Sequence, residues 1–151
     1  MPKLPIQIYG QPILRERARE IEKIEAHHRS LATDMADTMY AARGIGIAAN
    51  QVGSLERIVI VDTRWAETED QPNGPVYRPR ALINPEILEE STEEGVYNEG
   101  CLSMPEIEGD VWRPVRIRYR YINLDGAVIE AEANGMEARC ILHEVDHLNG
   151  I

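Results

Sequence analysis

Basic residues are scarce in this chain: 16 lysines and arginines stand against 26 aspartates and glutamates, a net charge of −10. General nucleic-acid binding relies on basic surface, so this balance argues against it. The two cysteines, Cys101 and Cys140, are too few for a disulfide scaffold. No apolar run approaches the ~18 residues that would suggest a membrane span, and the opening MPKLPIQIYG has no signal-peptide core. Phenylalanine is absent altogether, which carries no functional meaning. What is present is ordinary for a globular protein: 43% hydrophobic and 28% charged residues, in a length that suits one domain over 1–151.

The most informative stretch lies near the end, His143-Glu144-Val145-Asp146-His147. Histidines at i and i+4 project from one helical face, so both imidazoles can reach one divalent metal. A catalytic metal usually takes three protein ligands and keeps a position open for water. Only Leu148, Asn149, Gly150 and Ile151 follow, so the third ligand is expected upstream. Cys101, in EGCLS (Glu99 to Ser103), is the strongest candidate. One thiolate and two imidazoles suit Fe²⁺ or Zn²⁺. A cysteine ligand must stay a thiolate, which points to a reducing compartment. The cytoplasm is the expectation, or an organelle if a transit peptide has been removed.

Three motifs, GIGIAANQ (Gly44 to Gln51), EGCLS (Glu99 to Ser103) and HEVDH (His143 to His147), resemble those of the peptide deformylase family in order and spacing. The family writes the first as G-x-G-L-A-A-x-Q, so Ile47 is a departure of similar volume. The resemblance covers nearly the whole chain. It implies a metal-dependent hydrolase that removes the formyl group from the N-terminal formylmethionine of nascent polypeptides and releases formate. Fe²⁺ is then the favoured metal, with Zn²⁺ as the alternative. Two competing readings are a zincin-type endopeptidase and a non-catalytic, metal-stabilised binding module. The upstream Cys101 argues against the first, and the presence of both Glu144 and Gln51 against the second.

Glu144 follows a histidine ligand directly, so its carboxylate is displaced around the helix and is the candidate general acid–base. Attack on a carbonyl needs preorganised donors for the oxyanion. The Gln51 amide and the Leu102 backbone N–H are the candidates, and the resemblance assigns them the same roles. A structural role for Gln51, bonding loop backbone, is the competing reading. Gly46 and Gly100 permit close approach of a substrate backbone. Ile45 and Met136 could line a pocket for an unbranched side chain, and Glu99 joins Gly100 in the expected substrate-binding set. Cys140 reads as a small apolar filler rather than a ligand. Arg139 could border the pocket, although a charge fits an apolar lining poorly.

Between the motifs, Leu31, Met35, Met39 and Ala42 recur at spacings of four and three over Ala26–Arg43, predicting an amphipathic helix ended by Gly44. The methionines read as core, and His27 and His28 as solvated. Arg57 to Asp62 reads as a buried strand, Trp65 to Pro79 as a surface loop, and Ala81–Asn84 and Glu86–Glu90 as short strands interrupted by Pro85. Val115 to Tyr121 alternates strictly. A three-residue loop, Leu124-Asp125-Gly126, sets Arg120 opposite Glu130 and Arg118 opposite Glu132, a solvated ion-pair face. The last helix is expected to start at Asn134 or Gly135, with an Asn134–Glu137 capping box, and to end at Gly150. The predicted fold is α+β, with antiparallel strands surrounding a central buried helix that carries the metal motif. The expected partners are formyl-Met peptides and nascent chains, with no direct nucleic-acid binding and no membrane. Some bacterial deformylases carry a C-terminal helix thought to dock on ribosomes. Without one, and with a net charge of −10, this chain is expected to bind ribosomes weakly.

Overall fold

The computed structural model describes residues 17–101 and 104–151, with 94–113 described through their backbone alone. The element order is α1 (Ala26–Ala41), β1 (Gly46–Ala48), β2 (Ile58–Val61), β3 (Arg80–Glu90), β4 (Glu94–Cys101), β5 (Met104–Pro114), β6 (Arg116–Ile122), β7 (Val128–Asn134) and α2 (Gly135–Leu148). Five strands form one antiparallel sheet in the order β1-β2-β3-β6-β7, and β4 pairs with β5 in a separate hairpin. The fold is α+β. Among the described residues no helix is long and apolar enough to cross a membrane.

Strand β2 shows how the sheet is placed. Its four residues, Ile-Val-Ile-Val, are all buried, which a strand requires only when both sheet faces are covered. Val59 and Val61 pack with Leu82, Tyr119, Ile141 and Leu148, on the side of α2. Ile58 and Ile60 pack with Ala32, Met35, Ala36 and Met39, on the side of α1. The methionines are therefore core, as their spacing predicts. Helix α1 stops at Ala41, one residue short of Ala42, which is exposed. The chain then turns through Arg43 (φ 58), and the Gly44 N–H donates to the Met39 carbonyl at 2.8 Å.

His28 corrects the reading of a solvated pair. It is 6% exposed, its Nδ1 accepts the Glu25 backbone N–H at 2.9 Å, and its Nε2 lies 2.6 Å from Glu56 Oε2. His27 is exposed, as expected. The two short strands around Pro85 are one strand, β3, carried through by a register shift between Ile83 and Glu86. Asn84 takes a left-handed φ of 50 there, and its amide both accepts from Ile21 N (2.8 Å) and donates to Ile21 O (2.7 Å). The Asn84 side chain thus ties β3 to the Ile21 segment. Inside the expected surface loop, Trp65 is buried and its Nε1 donates to the Gly44 carbonyl at 2.9 Å.

The β6–β7 hairpin has the predicted register: Arg120 faces Glu130, Arg118 faces Glu132, Tyr119 faces Ala131 and Tyr121 faces Ile129. Asn123 N–H donates to the Ala127 carbonyl at 2.9 Å, which closes the three-residue loop, and Gly126 has φ 84. The nearest ion-pair partners differ from expectation, because β6 has a second neighbour. Arg118 pairs with Glu89 of β3 at 3.0 Å, and Arg120 with Glu86 at 2.8 Å ahead of Glu130 at 3.6 Å.

Candidate metal centre

Helix α2 brings the HEVDH residues together. Nine of its 14 residues are buried, and it touches β1, β2, β3, β5, β6 and β7. Its N-terminus is at Asn134, as expected, but the Asn134 side chain makes no capping hydrogen bond. Gly135 instead takes φ 56, and its N–H donates to the Val115 carbonyl at 2.9 Å. At the far end Gly150 has φ 79. Gly150 N–H donates to His147 O (3.0 Å) and Ile151 N–H to Asp146 O (2.9 Å), a Schellman termination.

His143 Nε2 and His147 Nε2 face each other at 3.2 Å, with the rings at 71°. With metal–nitrogen distances of about 2.0–2.1 Å, that separation corresponds to a ligand angle of roughly 100–106°, close to tetrahedral. The same spacing serves an N–H···N bond when one ring carries the proton, so the pair is preformed either way. Glu144 is 3% exposed, and its Oε1 lies 3.9 Å from His143 Nε2. The three groups form a cluster whose donor atoms all lie within 4.8 Å of one another. The two imidazole nitrogens fit a divalent cation by the chemistry of the donors, with the Glu144 carboxylate beside them as the candidate acid–base group.

The first motif packs directly onto this helix. Gly46 has no room for a side chain: an added Cβ would stand 2.5 Å from Cys140 Sγ, 3.0 Å from Glu144 Cγ and 3.2 Å from Glu144 Oε2. Cys140 is buried and its Sγ donates to the Ile45 carbonyl at 3.5 Å, which agrees with its reading as a filler. Gln51 is buried in the turn Ala49–Val52, and its Oε1 accepts the Ala48 N–H at 2.8 Å. That bond anchors the loop, as the structural reading holds, and also determines which end of the amide can donate. Asn50 donates through Nδ2 to the His147 carbonyl and ties the first motif to the third. Sequence reasoning missed this residue, since a lone asparagine in a motif gives no signal of a contact 97 positions away.

The other expected site residues are placed less completely. Glu99, Gly100 and Cys101 lie on β4, with Cys101 its last residue and paired with Met104, but their side chains lie outside the described residues. Leu102 lies wholly outside them. The β4–β5 hairpin approaches α2 through β5. Ile45 is half-buried against the α2 core, whereas Met136 is 47% exposed in the first turn of α2 and borders solvent. Arg139 is buried. A concavity of about 540 Å³ between α1, Ile60, Tyr77 and Ala81 lies on the opposite face of the sheet from the histidines.

A second cluster, His27, His28 and Glu56, has the composition of a metal site but not its chemistry. His28 Nδ1 already accepts a backbone N–H, so the ring proton sits on Nε2 towards Glu56. Coordination through Nε2 would need that proton on Nδ1, facing the Glu25 N–H. The cluster also sits at the positive end of α1, which disfavours a cation. It is a latch between α1 and the start of β2.

The polypeptide deformylase family model matches residues 3–151. The peptide deformylase of Mesorhizobium japonicum is 44% identical over 151 residues, covering 100% of this chain and 82% of the relative. The crystal structure of the Thermotoga maritima peptide deformylase matches with a TM-score of 0.86 at 40% identity, over 100% of this chain and 95% of that one. A class I type b peptide deformylase from Acinetobacter baumannii, solved with Met-Ala-Ser bound, matches with a TM-score of 0.89 at 38% identity, over 100% and 97%. With a preformed histidine pair, a buried glutamate beside it and these likenesses along its whole length, the chain belongs to the peptide deformylase family, metal-dependent hydrolases that remove formyl groups from protein N-termini.

Proposed function

We propose that this chain hydrolyses the formyl–amine bond of formyl-Met peptides and nascent chains with one divalent metal held by Cys101, His143 and His147. The observation that carries the reading is the buried Glu144 carboxylate beside two imidazole nitrogens 3.2 Å apart, in a chain matched along its length by deformylases. When bound, the metal would lower the pKa of a water to about 7 and polarise the formyl carbonyl. Glu144 takes the proton of the attacking water and delivers it to the methionine nitrogen as the carbon–nitrogen bond breaks, leaving formate and a free amine. Low exposure keeps this carboxylate from competing bulk water. The Gln51 amide and the Leu102 N–H donate to the oxygen that gains charge in the transition state.

Among the described residues strand β1 is the edge of the five-stranded sheet, so an extended peptide can add alongside Ile45 and Gly46 by strand pairing. Glu99 and Gly100 would form the opposite wall. Met136 and Ile45 would border the methionine side chain, with Cys140 at its base. The tripeptide in the Acinetobacter baumannii structure begins with Met, which supports that assignment. We read α2 as the central helix around which the strands wrap. The metal is proposed to be Fe²⁺, with Zn²⁺ as the alternative, and the place of work a reducing cytoplasm. Ribosome binding is proposed to be weak, because the net charge of −10 repels RNA.

The test is formate release from a short formyl-Met peptide by anaerobically prepared Fe²⁺ and Zn²⁺ forms. Both forms should release formate and a free methionine amine, with the Fe²⁺ form losing activity in air. Cleavage of an internal peptide bond, or no formate from either form, overturns the proposal.

A further inference from the structure

His147 stands on the last turn of its helix, where backbone carbonyls lose their in-helix partners and helices fray. A ligand placed there needs outside support to hold its angle to His143. The structure supplies it from Ala18, from Arg57 just before β2 and from the first motif. Leu148 O accepts the Ala18 N–H at 2.6 Å and Arg57 Nη1 at 3.3 Å. Arg57 Nη2 donates to Asn149 Oδ1 at 3.0 Å, Nη1 also reaches Ala18 O at 3.3 Å, and Asn50 holds His147 O.

Arg57 is only 5% exposed, and these acceptors carry no formal charge. Burial, with Arg17 nearby, pushes its guanidinium pKa down, against a smaller opposing pull from Glu20. A buried cation without a carboxylate in its hydrogen bonds is costly unless something offsets it. Here the negative end of the α2 dipole is directly against it. Arg57 also directly precedes β2, which pairs with β1, the strand carrying Gly46. One side chain therefore joins the end of the metal helix to the sheet edge.

We propose that Arg57 is a positioning residue for the deformylation: with Asn50 it clamps the C-terminal turn of α2 and keeps His147 in register with His143. The inference rests on the reading of His147 as a ligand. Partners behind metal ligands typically change metal affinity by 10–100-fold when removed. Arg57→Met removes charge and donors at similar length, and Arg57→Lys keeps the charge without the fork. Asn149→Ala removes one acceptor, and Met39→Ala destabilises the core on the other face of the sheet as a control.

Zn²⁺ release into excess chelator should be on the order of 10–100-fold faster in Arg57→Met. The release rate should be intermediate in Arg57→Lys and Asn149→Ala, and unchanged in Met39→Ala. Amide exchange at Asn149, Gly150 and Ile151 in the metal-free protein should rise in the same order. Wild-type release and exchange in Arg57→Met, or equal acceleration in Met39→Ala, overturns the clamp. Should Arg57→Met fail to fold, Asn149→Ala decides, and wild-type values for it overturn the clamp equally. Undiminished Zn²⁺ binding by His147→Ala would overturn the ligand reading instead, and the metal-free exchange data would still judge the clamp.

Discussion

Gly46→Ala adds one methyl group where the site is tightest. The new carbon would lie 2.5 Å from Cys140 Sγ, well inside contact distance, and 3.0 Å from Glu144 Cγ. No left-handed φ is involved at Gly46, so the requirement for glycine is purely steric. Overpacking of this kind typically costs about 1–3 kcal/mol of stability. The catalytic consequence is larger, because Glu144 must move and a displacement of about 1 Å can cost roughly 10²-fold in rate. Cys140→Ala removes the closest atom. In the double variant Gly46→Ala/Cys140→Ala stability should recover by a coupling of about 0.5–3 kcal/mol. Turnover should recover only in part, since the Glu144 contacts remain. Urea unfolding and formate release on the four proteins of the cycle measure both quantities. Wild-type behaviour of Gly46→Ala, or strict additivity in the double variant, would refute the packing argument.

Glu144→Ala should keep its metal by elemental analysis while turnover falls by about 10²–10⁴-fold, the usual range for a lost general acid–base; near-normal turnover would remove Glu144 from the mechanism. Gln51→Ala should lose on the order of 10²–10³-fold in rate. A loss confined to stability would leave Gln51 only its bond to the Ala48 N–H. Asn84→Ala should lower unfolding free energy by about 1–3 kcal/mol, because both Ile21 backbone groups lose their partner. Its turnover should be unchanged under native conditions, and a selective loss of activity would contradict a purely structural role.

The local patterns were legible in the sequence wherever one physical rule governs. Two-residue alternation and a turn glycine gave the β6–β7 register to the residue, and i, i+4 spacing placed the histidines on one face. What escaped was contact between segments distant in the chain. His28 reads as polar and solvated until Glu56 closes over it. Asn84 reads as the end of a short strand before Pro85, because nothing local shows that Ile21 waits to be paired. Helix α1 ended two residues early, at Ala41, where Arg43 rather than Gly44 took the left-handed turn. Strands β4 and β5 gave no alternating pattern, since acids and glycines interrupt them. Arg57 was hidden in the apolar run RIVIVD, where a charge looked like a boundary and proved to be the cap of a distant helix.

The central claim is that one thiolate and two imidazoles hold the catalytic metal, and X-ray absorption at the metal edge of the Zn²⁺-loaded protein tests it most directly. The account predicts one sulfur scatterer at about 2.3 Å and nitrogen scatterers from two imidazoles at about 2.0–2.1 Å. The sulfur should vanish in Cys101→Ala. A wild-type shell with no sulfur, or with more than one, would contradict the assignment of Cys101, His143 and His147.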